Sequence, residues 1–189
     1  MYLMRYLTFH IVAFIVFISF LISILWTKGI IREVMLFRAG RIRIRLRNLI
    51  DAFMFFPRLI IPLPFIDQIR FPTNPYTYLI GIILTFIGFY FMIAGVSKIY
   101  GKLLYDKPIE LVTDGVYGIV RHPIYFGDSI WPVGLSIIFG AFCSLLLTPI
   151  WIIAYLYTIE KEEEFLIKIY RDEYLKYRKK VKKFIPFIY

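Results

Sequence analysis

Cysteine is almost absent from this 189-residue chain: Cys143 is the single one, and it lies in an apolar run. An internal disulfide is therefore excluded. Histidine is nearly as scarce, with two residues. One cysteine and two histidines cannot supply the four spaced ligands of a structural zinc site, so no metal is expected. Charge is thin, at 19% of residues, and lopsided: 23 Lys and Arg against 13 Asp and Glu give a net charge of +10. Apolar residues fill the space that charge leaves, at 60% of the chain, with a mean hydropathy of +0.71. That balance excludes an ordinary soluble domain of this length. In a soluble protein the basic excess would point to nucleic acid. Here the cations cluster beside apolar runs, where they act as topology signals and as contacts for anionic lipid headgroups, so no nucleic-acid partner is expected.

Residues 7–26 form an apolar run long enough to cross roughly 30 Å of hydrocarbon as a helix. A signal peptide is the competing reading. Its apolar core would be shorter, and no small-residue cleavage site follows Trp26, so a retained span is expected. Next, Lys28, Arg32, Arg38, Arg41, Arg43, Arg45 and Arg47 stand against Glu33 alone. This stretch reads as a cytoplasmic retention signal, or as a strand or interfacial segment whose arginines snorkel to phosphate. Residues 49–66 make a poorer span, interrupted by Asp51, Pro57, Arg58, Pro62 and Pro64. There Arg58 either faces a cavity, which would make it a functional candidate, or snorkels to the surface.

Residues 77–97 are a clean span whose Gly81, Gly88, Ala94 and Gly95 permit close helix approach. Residues 124–159 are too long for one helix and long enough for two crossing as a tight hairpin, turning near residues 140–144, with Pro132 and Pro149 kinking the arms. The expected fold is an all-α integral membrane protein of about five transmembrane helices, over residues 7–26, 49–66, 77–97, 125–140 and 144–160. It forms a single domain, and its last two helices are a helical hairpin. Positive charge sorts to one face if the N-terminus lies outside and residues 161–189 are a cytoplasmic tail. The loop before the hairpin and the tail then share that face and can build one site.

That loop holds the stretch GVYGIVRHPIYFG, residues 115–127. Pro123 excludes a helix interior at this point and biases His122 toward extended geometry. Tyr117, Tyr125 and Phe126 add aromatic faces. The stretch is either a connector with interfacial aromatics or a cationic, aromatic-lined loop where a polar cofactor meets an apolar substrate. Glu160, Glu162, Glu163 and Glu164 follow directly on the last span. Alone they read as a solvated acidic turn. Paired with the loop, they complement a zwitterionic ligand that carries an added positive centre.

The ordered set Gly115-x-Tyr117, Arg121-His122-Pro123-x-Tyr125-x-Gly127, Glu162-Glu163-x-x-Leu166, Tyr174-x-x-Tyr177-x-x-x-Val181 and a closing Ile185-Pro186 resembles the isoprenylcysteine carboxyl methyltransferase family. Membrane phospholipid methyltransferases share the pattern, which covers roughly residues 102–186. The resemblance implies S-adenosylmethionine bound between loop and tail. The matching cofactor-binding places are Lys102, Ile109, Glu110, Leu111, Val112, Tyr117, His122, Pro123, Ile124, Tyr125 and Glu162. Carboxylate and aromatic faces favour a sulfonium, and Arg121 and His122 can hold the cofactor's carboxylate or adenine. The Gly-rich turn after a parallel strand, used by soluble enzymes, has no counterpart here. One departure concerns the acceptor. Isoprenylcysteine enzymes carry an Arg four residues before the Glu pair, and this chain has Thr158, which cannot grip a carboxylate in two places. Arg58 is the candidate substitute.

The implied reaction is an in-line methyl transfer to a lipid or prenylated acceptor that enters from the bilayer, with the site on the cytoplasmic face. For an amine or thiol acceptor, Glu163 or a tyrosine would take the proton. The membrane would be the plasma membrane in a prokaryote or the endoplasmic reticulum in a eukaryote. Two other readings fit parts of the sequence. Sterol reductases that use NADPH carry an Arg-His-Pro-x-Tyr-x-Gly-Asp segment, matched here through Asp128, and a Pro-aromatic tail. They usually have Asn where Ile124 stands, and lack the Glu162-Glu163-x-x-Leu166 spacing. A non-catalytic lipid-binding protein would use Lys176, Arg178, Lys179, Lys180, Lys182 and Lys183 on anionic headgroups.

Overall fold

The structure is a computed structural model that describes residues 58–103 and 111–189. The span expected over residues 7–26, the basic stretch after it, Ile109 and Glu110 lie outside the described residues, as does the side chain of Lys102. Among the described residues the fold is helical, with three α-helices seen from end to end, helical residues at 58–60, one 3₁₀ turn and two isolated bridges in place of any sheet. Helix α1 is Pro75–Leu103, α2 is Pro123–Ile138 and α3 is Phe142–Lys180; the 3₁₀ turn is Gly115–Gly118.

Local chemistry sets these boundaries. Asn74 caps α1, its Oδ1 accepting from the N–H groups of Tyr76 at 2.9 Å and Thr77 at 3.1 Å, and Pro75 takes the first helical position, where no donor is needed. Pro123 opens α2 in the same way. Inside α2, Pro132 has no N–H to give the Asp128 carbonyl, which accepts from Arg58 Nη1 at 3.3 Å instead. The α2–α3 connection turns at Gly140, whose φ is +62° and where a Cβ would sit 2.4 Å from the Phe71 carbonyl. Only glycine fits both conditions. The incoming chain clamps this turn: Phe71 N–H donates to Gly140 O at 2.9 Å and Phe142 N–H to Ile69 O at 3.1 Å.

Helices α1 and α2 touch backbone to backbone. A Cβ on Gly88 would lie 2.4 Å from the Trp131 nitrogen, and one on Gly127 would lie 2.3 Å from the Gly88 carbonyl. Small residues allow this approach where lipid gives no hydrophobic drive to associate. The outer face of α1 is apolar and open, with Tyr76, Leu79, Phe86, Tyr90 and Ile93 all exposed. α1 and α3 are long and apolar enough to cross a membrane.

The hairpin arms differ from the sequence expectation at their ends. α2 occupies residues 123–138, not 125–140, and its 16 residues are fewer than the roughly 20 that a full crossing needs. α3 starts at Phe142 and runs through the charged stretch to Lys180, broken once at Arg171, where φ is 44° and ψ −121°. Of the span expected over residues 49–66, the described part is helical at 58–60 and forms turns over 61–66. Pro62 and Pro64 withhold the donors a continuing helix requires.

Candidate functional site

At one end of the α2–α3 hairpin four segments converge. Tyr117, in the 3₁₀ turn, points its hydroxyl to the Gly95 carbonyl of α1 at 3.4 Å, and its own carbonyl accepts from the Tyr177 hydroxyl at 2.6 Å. The next residues run extended beside the tail: Val120 bridges Lys182 in parallel, Arg121 N–H donates to Lys182 O at 2.8 Å, and His122 N–H to Lys183 O at 3.2 Å. Pro123 then starts α2 and fixes where the His122 side chain emerges.

Arg121 and Glu163 form the buried centre, 7% and 2% exposed. Arg121 Nε and Nη2 both reach Glu163 Oε1, at 2.8 and 2.7 Å. Its Nη1 donates to the carbonyls of Arg178 and Val181. Each arm of the guanidinium is thus committed within the protein, tying α2, α3 and the tail together. His122 Nε2 lies 3.3 Å from the same Glu163 oxygen, while His122 Nδ1 lies 3.8 Å from Glu162 Oε2. Tyr125 donates to Glu162 Oε1 at 2.5 Å. His122 therefore stands between two carboxylates that are adjacent in sequence and different in role.

The two carboxyls sit in opposite electrostatic states. Burial opposes ionisation of Glu163, but the hydrogen bonds of His122 and Arg121 and the Arg121 charge outweigh it and hold the group at about 2. Glu162 is 28% exposed and lies above the usual carboxylate range, because desolvation outweighs the His122 charge and the Tyr125 hydrogen bond. A cation arriving beside Glu162 would favour its charged form. Burial pushes the hydroxyls of Tyr117, Tyr174 and Tyr177 up, so all three stay protonated donors. Glu163 Oε2 faces Arg178 Nε at 3.6 Å, an ion pair longer than a hydrogen bond.

The Glu163 shift carries a pH signature. Its ordinary value of 4.5 falls to about 2 in the folded protein, so its stabilisation is complete above roughly pH 5 and is lost as pH falls toward 2. The thermal midpoint in detergent is expected to drop between about pH 5 and pH 3. Glu163→Gln should start lower at neutral pH and lose most of that acid-side slope.

A second buried cluster lies deeper in the hairpin. Arg58 Nη1 pairs with Asp128 Oδ2 at 2.7 Å and with the Tyr155 hydroxyl, which also donates to Asp128. Trp131 Nε1 donates to Asp128 Oδ1 at 2.8 Å. The guanidinium carbon is 5.9, 5.2 and 5.6 Å from the ring centres of Trp131, Trp151 and Tyr155. Tyr125 joins the clusters, its ring 5.2 Å from that of Tyr155 while its hydroxyl holds Glu162.

The sequence-predicted residues thus divide into three groups. His122, Tyr125, Glu162 and Glu163 come together, with Arg121 and Tyr117 behind them. Arg58 belongs to the deeper cluster, held by Asp128 and Tyr155. Thr158 is buried on α3 between Tyr155 and Glu162, its hydroxyl donating to the Ala154 carbonyl at 3.0 Å. Pro123 is buried in the first turn of α2, and Ile124 packs against Gly95. Leu111 and Val112, half-buried, precede the 3₁₀ turn. Sequence reasoning missed Asp128 and Tyr155. Asp128 was visible as the one charged residue in the apolar run 124–159, where an intramembrane carboxylate requires a partner.

A helical membrane protein with a buried polar cluster at one end of a hairpin is the class these features define. Residues 76–173, more than half of the chain, match the family described as phospholipid methyltransferase, and the chain belongs to that family. It is similar to the protein-S-isoprenylcysteine O-methyltransferase of Schizosaccharomyces pombe, 43% identical over 84 residues that cover 44% of this chain and 36% of the relative. The human protein of the same name is 37% identical over 86 residues, 41% of this chain and 28% of the relative. Protein-S-isoprenylcysteine O-methyltransferase B of Arabidopsis thaliana is 32% identical over 95 residues, 46% of this chain and 45% of the relative. The matched part of the chain thus spans well under two thirds of each of these relatives. No solved structure matches the chain.

Proposed function

We propose that the chain is an integral-membrane methyltransferase that draws on S-adenosylmethionine and methylates a lipid or prenylated acceptor reaching it through the bilayer. One observation carries the reading: His122 and Glu162, forty residues apart in sequence, stand 3.8 Å from each other. One small ligand can therefore touch both. Relatives named for methyl transfer to isoprenylcysteine support the same reaction class.

When bound, S-adenosylmethionine supplies a methyl group on a positively charged sulfur with a good leaving group behind it. Glu162 is the carboxylate that answers that charge, with the rings of Tyr125 and Tyr117 beside it. The residues fit such a group, since Glu162 keeps an exposed edge beside His122 and Tyr125. His122 orients Glu162 and offers a ring nitrogen to a polar end of the ligand. Lys102 and residues 109–112 complete the cofactor side in this proposal.

Arg121 and Glu163 serve differently from the expectation. Arg121 has no arm left for a cofactor carboxylate, and Glu163, buried and strongly acidic, is a poor proton acceptor at neutral pH. Together they are the internal tie that holds loop and tail in register. Catalysis then rests on alignment and exclusion of water more than on a base. Thr158 and the Arg58 cluster border the acceptor's approach along the α2–α3 seam, and anionic headgroups are partners of the basic tail.

The test is incubation of the detergent-solubilised chain with methyl-labelled S-adenosylmethionine and total membrane lipid, followed by identification of the labelled product. Label in a lipid or prenylated species is the expected result. No transfer to any membrane component, with binding of reduced nicotinamide in place of S-adenosylmethionine, would overturn it.

A further inference from the structure

Beyond the break at Arg171 the chain turns back toward the membrane end of the site. The carbonyls of Arg178 and Val181 reach Arg121, and Lys182 bridges Val120. The return does not stop there. The Phe184 ring lies 6.3 Å from that of Phe126, one turn inside the apolar helix α2. Just beyond Phe184 the tail leaves Phe187 84% exposed and Ile188 73% exposed.

On the way, residues 172–181 sort by face. At 100° per residue Tyr174, Tyr177 and Val181 share one side, and Lys176, Lys179 and Lys180 share the opposite one. The two tyrosines are buried against the site, and the three lysines are exposed. Arg178 and Lys183 answer Glu163 and Glu160, whereas Lys176, Lys179, Lys180 and Lys182 face outward. A row of exposed cations in one segment with exposed apolar side chains is the composition of an interfacial anchor. An acidic protein in the cytosol would answer the lysines and leave Phe187 and Ile188 bare; an anionic leaflet answers both.

We infer that residues 172–189 seat on the anionic leaflet of the bilayer and that this seating holds the donor site closed. The segment that carries the lysines also supplies the carbonyls that fix Arg121 and His122. Lipid that favours the returned tail must therefore favour the closed site, and donor must in turn favour lipid contact. The second half of this inference rests on the donor reading above.

The test uses the full chain with Phe187→Cys in a Cys143→Ser background, labelled with an environment-sensitive dye. The protein is placed in vesicles of phosphatidylcholine alone or with phosphatidylglycerol added. A lipid-borne quencher should silence the dye in the anionic vesicles. Affinity for S-adenosylmethionine should fall by roughly fivefold or more in neutral vesicles, and equally for Lys176→Gln/Lys179→Gln/Lys180→Gln in anionic ones. A dye quenched only from the aqueous side overturns the seating. Lipid quenching with donor affinity blind to headgroup charge overturns the coupling. No donor binding in any lipid overturns the proposed function, and the seating then stands on the quenching result.

Discussion

Replacing Glu162 with Gln is expected to weaken S-adenosylmethionine binding by about a hundredfold while leaving S-adenosylhomocysteine within a few-fold of its original affinity. The substitution keeps the shape of the side chain and its acceptor for the Tyr125 hydroxyl, but removes the negative charge. The two ligands differ by the methyl group and the positive charge on sulfur, so their ratio isolates the charge–charge contribution. At about 4 Å and an effective dielectric near 20, two unit charges interact by about 4 kcal/mol. Partial exposure of Glu162 to water reduces this, which sets the hundredfold expectation. Calorimetry in detergent measures both ligands. His122→Ala should weaken both together, because His122 orients Glu162 and meets a part of the ligand the two share. Equal losses for both ligands with Glu162→Gln would reduce Glu162 to a structural role, and unchanged affinity for both would remove it from the site.

Much of this site is legible in the sequence because its parts are marked by residues with special backbone demands. Pro123 marks the start of α2 and so the exit point of His122; Gly140 marks the hairpin turn. A hairpin of known turn position brings His122 near its start and Glu162 near its end to the same level. The pairing inside the site is less legible. Charge says that Arg121 is a cation, but only the fold says that it is spent on Glu163 and two tail carbonyls. Glu163 is adjacent to Glu162 and indistinguishable from it by type, yet one is buried in an ion pair and the other keeps an open edge. The break at Arg171 escapes the sequence altogether, since no Gly or Pro flags it. A left-handed φ at a non-glycine residue costs roughly 1–3 kcal/mol and persists only where surrounding contacts hold it. Here those contacts are Tyr174 and Tyr177, buried because the chain turns back. Without the break, residues 160–180 read as a solvated charged helix.

Asp128→Ala should be the most destabilising single change in the described part of the chain, at about 3–5 kcal/mol. Arg58 is 5% exposed and enclosed by three aromatic rings. With Asp128 present, its charge has a carboxylate at 2.7 Å; without Asp128, the buried cation loses that counter-charge. The Trp131 indole N–H and the Tyr155 hydroxyl would lose the same acceptor. Removing the cation as well should recover most of the loss, because Met in place of Arg58 fills similar volume and leaves no charge to bury. Arg58→Met/Asp128→Ala is therefore expected to unfold at a higher temperature than Asp128→Ala alone, a coupling that a double-mutant cycle reads directly. Additive losses would mean that the two residues do not stabilise each other. The cycle also separates stability from chemistry. If the double variant folds as well as wild type yet transfers no methyl group, Arg58 and Asp128 act on the acceptor as well as on the fold. If it retains transfer, their part is to hold Tyr155 against Tyr125, and through Tyr125 to keep Glu162 in position for the donor.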